Sequence, residues 1–391
     1  MKIIHTADWH IGKIVNQVYM TEDQAYALNS LVELLAAEKP DALLIAGDIY
    51  DRAVPPVDAV ELLDKVLSTI LLELEIPVLL IAGNHDSPDR LGFGSKILQA
   101  RGLHIAGRLT KNIQKVTLED QYGPVNFYLV PYAPPAEVKA ILEREDITDH
   151  DSAMAAIIER IKRDWYPEQR NVLVTHAFVC GDKEPELSES EKPLTYSSVG
   201  GMEYVNAIRF ADFTYTALGH LHGPQTVNGE KIRYSGSLLK YSFSEVNQRK
   251  SVTVVNIDAT GNVECSSRQL AVLRDFRRLK GQLKDLLDPA VYKGTNLEDY
   301  LHITLTDQGE LLEPMAKLRT VYPHVLALEY ETSGNNSDGD RTSAGVDHAR
   351  KTEFELFRDF YCAITGREFT AEKEAIVREV IKQIQAEERG A

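Results

Sequence analysis

The sequence has few cysteines, and their spacing does not suggest a cross-linked structure. Cys180, Cys265 and Cys362 are far apart, odd in number and without a CxxC pair. Small secreted domains that depend on disulfides carry closely spaced cysteines in even number, and cysteine zinc sites carry CxxC pairs. The sequence therefore argues against a disulfide framework and a cysteine zinc site, and we expect a reducing, cytoplasmic setting.

Three longer patterns are also missing. No apolar run reaches the roughly 20 residues that cross a bilayer, and the first residues lack the basic and then apolar pattern of a secretion signal. The phosphate-binding loop G-x-x-x-x-G-K-[ST] is absent as well. We expect no membrane span, no signal peptide and no ATP binding by this chain alone.

Positive charge is in short supply. The 391 residues include 43 lysines and arginines against 59 acidic residues, which gives a formal net charge of -16. Such a balance disfavours a protein that holds nucleic acid by bulk electrostatics. Bound cations can supply positive charge locally, so a metal-dependent enzyme that works with a partner stays open. A chain of 391 residues is longer than a domain with a single hydrophobic core usually is, so two or three domains are expected.

Apolar strands and amphipathic helices alternate in the first part of the chain. "KIIHTA", "DALLIAGD" and "PVLLIAGN" predict buried strands, and residues 21–38 and 57–74 predict the helices between them. This order indicates an α/β layer with both faces of its sheet covered. Each strand runs directly into polar residues, and ligand sites in such sheets gather at the carboxyl ends of strands.

The rest of the chain divides into four predicted segments. Further strands at 171–178, 213–222 and 231–237 and a hairpin at 250–269 extend the first domain, and the acidic run 182–191 is predicted to be a solvated loop. The composition of "SGNNSDGDRTSAG" indicates a flexible linker. The predicted domains are 1–270, a small α/β unit at 271–332, a linker at 333–349 and a helix-loop-helix segment at 350–391.

Five short motifs follow the predicted strands. They combine Asp, Asn and His with small residues, and they read D-x-H at 8–10, G-D-x-x-D-R at 47–52, G-N-H-D at 83–86, T-H at 175–176 and G-H-x-H at 219–222. Oxygen and imidazole ligands without thiolate suit pairs of Mn²⁺, Fe or Zn²⁺ ions. Two such ions need about seven protein ligands, one of them shared. We predict one site from Asp8, His10 and His222, a second from Asn84, His176 and His220, and Asp48 as the bridge.

The ordered motifs resemble those of the calcineurin-like metallophosphoesterases. The stretches "HTADWHIG", "AGDIYDRAVPP", "AGNHDS", "LVPYAPP", "ALGHLH" and "RYSGS" are further similar to the bacterial nuclease branch of that family, over roughly residues 1–270. The resemblance implies a four-layer αββα sandwich with a small capping domain and a helical tail. It also implies a manganese-dependent DNA exonuclease and endonuclease that hydrolyses phosphodiesters with a water activated by two metal ions.

The resemblance also implies roles for three residues outside the ligand set. His85 corresponds to a catalytic histidine that is not a ligand and that protonates the leaving 3′-oxygen as a general acid. Asp51 is expected to hydrogen-bond His85 and keep it protonated; archaeal and eukaryotic relatives carry a histidine at this position, so the sequence departs from their pattern. Arg52 matches the phosphate-binding arginine of serine/threonine phosphatases.

Partners follow from the same resemblance. They are a long coiled-coil ABC-type ATPase that docks on residues 350–391, and DNA as double-stranded ends, hairpins or single strands. The unit at 271–332 would help to orient DNA, and a homodimer within a heterotetramer is expected.

Two other functions remain open. The same fold and metals would suit a phosphomonoesterase or a small-molecule phosphodiesterase, which Arg52 and the acidic balance favour. A scaffold with a decayed site is the third possibility. Among the neighbouring residues, His5 is predicted to lie in the core or behind the ligands, and Asp86 either caps a helix or touches the site.

Overall fold

Two six-stranded sheets contain the apolar stretches that the sequence marks as strands. The computed structural model describes residues 1–191, 204–309, 311–331, 352–365 and 368–390. The predicted linker, 333–349, lies outside the described residues. Within the described residues, no helix combines the length and the apolar character that a bilayer crossing requires.

The strands are numbered in chain order. Their bounds are β1 Lys2–Thr6, β2 Ile14–Val15, β3 Val18–Tyr19, β4 Ala42–Ile45, β5 Val78–Ile81, β6 Leu103–Ala106, β7 Gln114–Asp120, β8 Gly123–Val130, β9 Arg170–His176, β10 Val179–Cys180, β11 Val205–Asn206, β12 Tyr215–Gly219, β13 Gln225–Thr226, β14 Ile232–Tyr234, β15 Ser251–Ile257, β16 Val263–Gln269, β17 Phe276–Gly281, β18 Tyr300–Leu305 and β19 Val325–Tyr330.

The helices are numbered in the same way. Their bounds are α1 Thr21–Glu38, α2 Val57–Ser68, α3 Pro88–Leu91, α4 Ser95–Leu98, α5 Pro135–Leu142, α6 His150–Lys162, α7 Leu283–Leu286, α8 Pro289–Tyr292, α9 Pro314–Arg319, α10 Glu353–Thr365 and α11 Ala371–Gly390. The predicted helix at 21–38 is α1, whereas the one predicted at 57–74 is α helical to Ser68 and continues as a π-helical turn, Thr69–Glu73.

The strand order places the carboxyl ends of several strands at one edge. The first sheet runs β16-β15-β1-β4-β5-β6, with β1, β4, β5 and β6 parallel. The second runs β13-β14-β12-β9-β8-β7, with β14, β12, β9 and β8 parallel. In its register Gly219 pairs with His176, so the loop after β12 begins beside the last residue of β9.

The two sheets pack face to face. One apolar cluster joins side chains such as Ile3, Leu44 and Leu79 of the first sheet to Phe127 and Val172 of the second. A second cluster covers the other face of the second sheet with α6. The crossover helices α1 and α2, which connect β1, β4 and β5, also bury apolar side chains. These layers confirm the predicted α/β fold.

The sequence analysis assigned no element between residues 87 and 170, and this omission was wrong. The segment supplies β6, β7 and β8 and helices α3 to α6. Strand β7 reads "QKVTLED" and lies at the edge of its sheet, where Val116 is the buried side chain. An edge strand with few buried residues carries only a weak hydrophobic signal in the sequence.

Contacts divide the chain into two units, 1–278 with 296–302 and 279–295 with 303–391. The second unit contains a small core around Leu318 and Val325, and the Tyr322 hydroxyl donates to the Leu286 carbonyl over 2.8 Å. The predicted boundaries at 270, 332 and 349 stay predictions. The helix-loop-helix predicted at 350–391 is present as α10 and α11.

Candidate metal centre

The seven predicted ligands follow the carboxyl ends of strands in both sheets. Asp8 and His10 come after β1, Asp48 after β4 and Asn84 after β5, while His176 ends β9 and His220 and His222 follow β12. All are buried except the half-buried Asn84. Because the two sheets face each other, these strand ends meet, and contacts across them join the two sets of loops.

The backbone is strained at four of these positions. Asp8, His10, Asp48 and His220 have positive φ angles of 55°, 47°, 51° and 112°. Residues other than glycine rarely adopt this region, and each instance costs about 1–3 kcal/mol. Strain of this kind persists where surrounding structure enforces it and is concentrated at functional sites. The folded chain therefore accepts a cost to direct these side chains to one point.

Two glycines of the motifs allow the strand ends to approach closely. A Cβ atom on Gly83 would lie 2.2 Å from Asp48 Oδ1, and one on Gly219 would lie 1.9 Å from the carbonyl oxygen of Ala46. Either contact is far shorter than van der Waals distance. The glycines of G-N-H-D and G-H-x-H are thus required by the packing around Asp48 and His176.

The first predicted position contains two imidazoles that face each other. His10 Nε2 and His222 Nε2 are 3.0 Å apart, and Asp8 offers an oxygen within reach of both rings. In the described part of the chain, the buried Nδ1 of His10 has no hydrogen-bond partner. Burial lowers the pKa of both imidazoles, which favours their neutral forms. Converging neutral imidazoles beside a carboxylate fit a divalent cation.

The second position is centred on His176. Its Nε2 lies 2.9 Å from Asn84 Oδ1 and 3.5 Å from Asp48 Oδ2, and its Nδ1 lies 2.9 Å from the Ala46 carbonyl. Burial alone would lower the pKa of His176, but the attraction of Asp48 outweighs it and raises the pKa to about 9. The ring of His220 is 5.5 Å away, and burial lowers its pKa well below the usual value.

Asp48 lies between the two positions. Its Oδ2 is 3.6 Å from His10 Nε2 and 3.5 Å from His176 Nε2, and its Oδ1 accepts the backbone N–H of His85 over 2.9 Å. Burial would raise the pKa of Asp48, but the neighbouring histidines lower it well below the usual value. A carboxylate at similar distances from both sets is suited to bridging, and the bridging role stays a prediction.

Asp8 shows the reverse pKa shift. Burial raises its pKa well above the usual value, and repulsion from Asp48 adds to this despite the nearby His176. Two buried carboxylates that repel each other are stabilised when cations share their site. The donor set and its electrostatics therefore fit divalent ions.

His85 is held by the backbone of Asp51. Its Nδ1 lies 2.8 Å from the Asp51 carbonyl oxygen, and its Nε2 lies 4.0 Å from Asp48 Oδ2. The expected hydrogen bond between Asp51 and His85 is therefore present, but it is made by the Asp51 backbone carbonyl, while the Asp51 carboxylate accepts from Lys13 Nζ over 2.8 Å. The catalytic roles of both residues stay predictions. Arg52 follows on the same loop and is exposed.

The sequence analysis missed the support behind His222. Glu191 Oε1 accepts the backbone N–H of His222 over 2.7 Å, and Lys250 Nζ donates to its carbonyl over 2.8 Å. Glu245, fully buried, contacts Lys250 over 2.6 Å. The prediction that 182–191 is simply a solvated loop is wrong at its end. No local pattern marks these residues, because the chain folds them together from distant positions.

Two other residues near the site have structural contacts. Asp86 makes no side-chain cap to the helix that follows it; its carboxylate accepts the backbone N–H groups of Ile49, Tyr50 and Gly83, beside the predicted ligands Asp48 and Asn84. Burial and the charge of Asp48 raise its pKa to about 6. His5 contacts the Tyr215 hydroxyl and the Leu218 carbonyl inside the core, where it was predicted to lie.

Comparison with known families gives two matches along the chain. Residues 1–224, more than half of the chain, match the model of the calcineurin-like phosphoesterases. Residues 272–365 match a model labelled SbcD_C and described as a type 5 capsule protein repressor C-terminal domain. The first match contains all seven predicted ligands, and the second begins beyond them. Together they support the resemblance to an SbcD-type nuclease subunit that the motifs indicated.

Three solved structures illustrate how distant the structural relatives are. A Thermus thermophilus protein, TT1561, is 14% identical over 68% of this chain and 98% of its own, with a TM-score of 0.37. GAP50 of Plasmodium is 9% identical over 70% and 90%, with a TM-score of 0.37. A dimetal phosphatase from Danio rerio is 13% identical over 69% and 96%, with a TM-score of 0.40. Scores below 0.5 are too low to carry a functional argument.

Proposed function

The chain belongs to the calcineurin-like phosphoesterase family, and we propose that within it the chain is a metal-dependent DNA nuclease, the SbcD-type subunit of a complex with an SbcC-type ATPase. One observation carries the proposal: overlapping groups of Asp and His side chains that could hold metal ions precede, in the sequence, a segment that matches the SbcD_C model. A phosphoesterase with a small soluble substrate needs no such additional segment.

The proposed cofactors are two Mn²⁺ ions or other divalent ions. Asp8, His10 and His222 would hold one, Asn84, His176 and His220 the other, and Asp48 would contact both. Ions bound there would supply positive charge for the phosphodiester and lower the pKa of a bound water. The acidic chain otherwise offers little attraction for nucleic acid, so the centre and a partner would together account for DNA binding.

The residues of the chain supply positioning and proton transfer. His85 is anchored through Nδ1 to a carbonyl oxygen, which can only accept, so Nδ1 carries a proton. Its Nε2 is on the side of Asp48, and only a ring that carries a second proton, on Nε2, could pass that proton to the leaving 3′-oxygen as a general acid. Arg52 is exposed and free to reach a phosphate from the solvent side.

The direct test is a substrate panel. Purified full-length chain with Mn²⁺ is offered linear double-stranded DNA, hairpin DNA, single-stranded DNA and p-nitrophenyl phosphate. Cleavage of DNA with little turnover of the monoester is the expected result. Turnover of the monoester alone would establish the rival phosphomonoesterase, which the exposed Arg52 and the acidic balance favour. Inactivity on every substrate with both ions bound would indicate a scaffold.

The C-terminal helices are the proposed docking element for the ATPase. Phe354, Phe357 and Tyr361 of α10 surround Phe369, with ring centroids 5.3–6.2 Å apart. Other apolar side chains remain exposed, namely Phe360, Ile376 and Val380. Exposed apolar residues on a helix pair are typical of a surface that binds a partner helix.

Deletion of residues 350–391 tests this partner. The shortened chain should lose co-purification with the ATPase and keep manganese-dependent cleavage of short DNA. The matched control exchanges Ile376 and Val380 for serine in the full chain, which should weaken the complex without removing the helices. Undiminished binding by the shortened chain would exclude the tail as the main dock.

A further inference from the structure

His222 is held by a buried network that the catalytic assignments do not use. Its Nδ1 lies 2.6 Å from the Ser190 hydroxyl and 3.4 Å from Glu245 Oε1, and Ser190 also donates to Glu245 Oε1 in a very short hydrogen bond. Ser190 lies in the loop 182–191, and Glu245 lies in the short turn Phe243–Glu245, so the three residues meet only in the folded chain.

The charge of Glu245 is fixed by its surroundings. Lys250 Nζ lies 2.6 Å from Oε2, and the backbone N–H of Tyr241 donates to the same oxygen over 3.2 Å. Both residues of the Glu245–Lys250 pair are almost entirely removed from solvent. A buried carboxylate in direct contact with an ammonium group and a backbone donor is ionised, and it acts only as an acceptor.

Counting protons then determines the form of the His222 ring. The Ser190 hydroxyl has one proton, and Glu245 accepts it. The Ser188 hydroxyl, 2.8 Å from Ser190 Oγ, donates its own proton to the same carboxylate oxygen over 3.0 Å. The Ser190 oxygen must therefore accept from His222, which places the ring proton on Nδ1. In the other tautomer Ser190 would donate to His222, and its oxygen lone pairs would face the carboxylate. That arrangement leaves two acceptors in contact and is unfavourable.

We propose that Glu245, through Ser190, is a positioning residue that holds His222 with its proton on Nδ1 and its Nε2 lone pair directed at His10. The inference rests on the proposed metal-dependent function, because Nε2 is the atom that would bind a cation. It predicts that the network controls the position formed by Asp8, His10 and His222. The position around His176 is independent of it, because His176 is oriented by the Ala46 carbonyl instead.

The backbone of His222 is fixed by the same group of residues. Glu191 accepts its N–H, and Lys250 donates to its carbonyl. Ring orientation and backbone position are thus set together by the end of the loop 182–191 and by the Glu245–Lys250 pair. Partners that orient metal-binding histidines change metal affinity by about 10- to 100-fold when they are removed.

The first experiment reads the tautomer without any metal. Full-length chain with ¹⁵N-labelled histidine is stripped of metal, and the ring nitrogens are observed by NMR, with the His222→Asn variant identifying the signal. The wild type should show His222 protonated on Nδ1. Glu245→Gln should show a mixture of tautomers or the Nε2–H form. An unchanged Nδ1–H signal in Glu245→Gln would overturn the proposal.

The second experiment measures Mn²⁺ binding by titration of the metal-free full-length chain. Glu245→Gln should weaken one of two binding events about 10- to 100-fold and leave the other unchanged. Ser190→Val should give a smaller loss of Mn²⁺ affinity than Glu245→Gln. Threonine has the shape of valine but keeps the hydroxyl, so Ser190→Thr should bind Mn²⁺ as the wild type does. Equal affinities in Ser190→Val and Ser190→Thr would contradict the proposed role of the hydroxyl.

A matched control separates positioning from stability. Asp151 is a buried carboxylate outside the candidate metal centre, and it contacts Arg209 over 2.6 Å. Asp151→Asn should therefore lower stability and leave both Mn²⁺ affinities unchanged. If Glu245→Gln fails to fold with Lys250 unpaired, the double variant Glu245→Gln/Lys250→Met removes that charge. A wild type that binds two ions but cleaves no DNA would refute the proposed function alone; unaltered Mn²⁺ binding in Glu245→Gln would refute the positioning role alone.

Discussion

Two polar clusters lie at opposite edges of the sheets, and they differ in the kinds of group that face each other. At the amino edge, Asp120 accepts two hydrogen bonds from Arg170, over 2.6 and 2.8 Å, and contacts the amino group of Met1 over 2.7 Å. At the carboxyl edge, the Nε2 atoms of His10 and His222 face each other over 3.0 Å, and burial together with repulsion from Asp48 raises the pKa of Asp8. Charges are matched at one edge and mismatched at the other.

The difference separates stability from function. Oppositely charged groups in direct contact, such as Asp120 and Arg170, stabilise each other without a further ligand. Facing imidazole nitrogens and neighbouring carboxylates are costly to bury without a partner. Such groups are retained at functional sites, where a bound ligand or ion satisfies them. Strained backbone supports the same distinction, since Asp8, His10 and Asp48 have positive φ angles, whereas Asp120 and Arg170 do not. Substitutions at the carboxyl edge should therefore mainly reduce metal binding and activity, whereas substitutions at the amino edge should mainly reduce stability.

The largest effect is expected for Asp48→Ala. Removing the carboxylate between the two positions should release both ions and slow phosphodiester hydrolysis by about a thousandfold or more, because each ion contributes several kcal/mol. The unfolding free energy of the metal-free chain should fall by about 1–3 kcal/mol, because the buried His85 N–H loses its acceptor, and relief of the repulsion between Asp48 and Asp8 should offset part of this loss. Elemental analysis after gel filtration, turnover of bis(p-nitrophenyl) phosphate and urea unfolding measure the three quantities.

Asp8→Ala is the control for that variant. It should mainly empty the position formed with His10 and His222, so about one ion per chain should remain. Two retained ions in Asp48→Ala would mean that the carboxylate does not bridge.

The next effect concerns His85→Ala. If His85 is a proton donor and not a ligand, the variant should keep both ions and lose about 10²- to 10⁴-fold in DNA cleavage. His85 can also be grouped with His10 and Asp51 around one point. Loss of an ion from the variant would therefore assign His85 as a ligand and refute the general-acid role.

At the amino edge, Arg170→Met should show the reverse behaviour. Breaking the pair between the buried Arg170 and the half-buried Asp120 should lower the unfolding free energy by about 2 kcal/mol, with turnover of bis(p-nitrophenyl) phosphate per folded molecule unchanged. Arg163→Met is the matched control, because Arg163 is exposed and its pair with Glu159 spans 3.8 Å; it should cost less than about 1 kcal/mol. A loss of bound metal in Arg170→Met would break the proposed separation of the two edges.

The smallest effect is the pH dependence of the stability that Asp120 contributes at the amino edge. Hydrogen bonds from Arg170, although opposed by burial, hold the pKa of Asp120 well below its usual range. The contact therefore contributes fully above the unfolded pKa of about 3.9 and is lost progressively as the pH falls below it. The difference in unfolding free energy between wild type and Asp120→Asn should be constant from pH 5 to 7 and shrink below pH 4. A difference that persists to pH 2 would contradict this.

The carboxyl edge was largely foreseeable, because its signal is local. Each motif follows an apolar strand, and parallel strands in a sheet end together. Sequence reasoning placed Asp8, Asp48 and His176 near one another on that ground, and the structure places His176 nitrogens 4.0 Å from an Asp8 oxygen and 3.5 Å from an Asp48 oxygen. The amino edge gave no comparable signal, since Asp120 and Arg170 are ordinary charges at strand ends until the fold pairs them.

By itself, the sequence determined the α/β layering, the absence of a cysteine framework and the residue types that converge on the candidate centre. These features depend on periodicity and composition, which neighbouring residues carry. Only the tertiary structure decided that Lys13 donates to the Asp51 carboxylate while His85 contacts the Asp51 carbonyl. It also decided that Glu245 lies beside the ring of His222. Hydrogen bonds between residues far apart in the chain depend on where the backbone brings their atoms, and no local pattern specifies that.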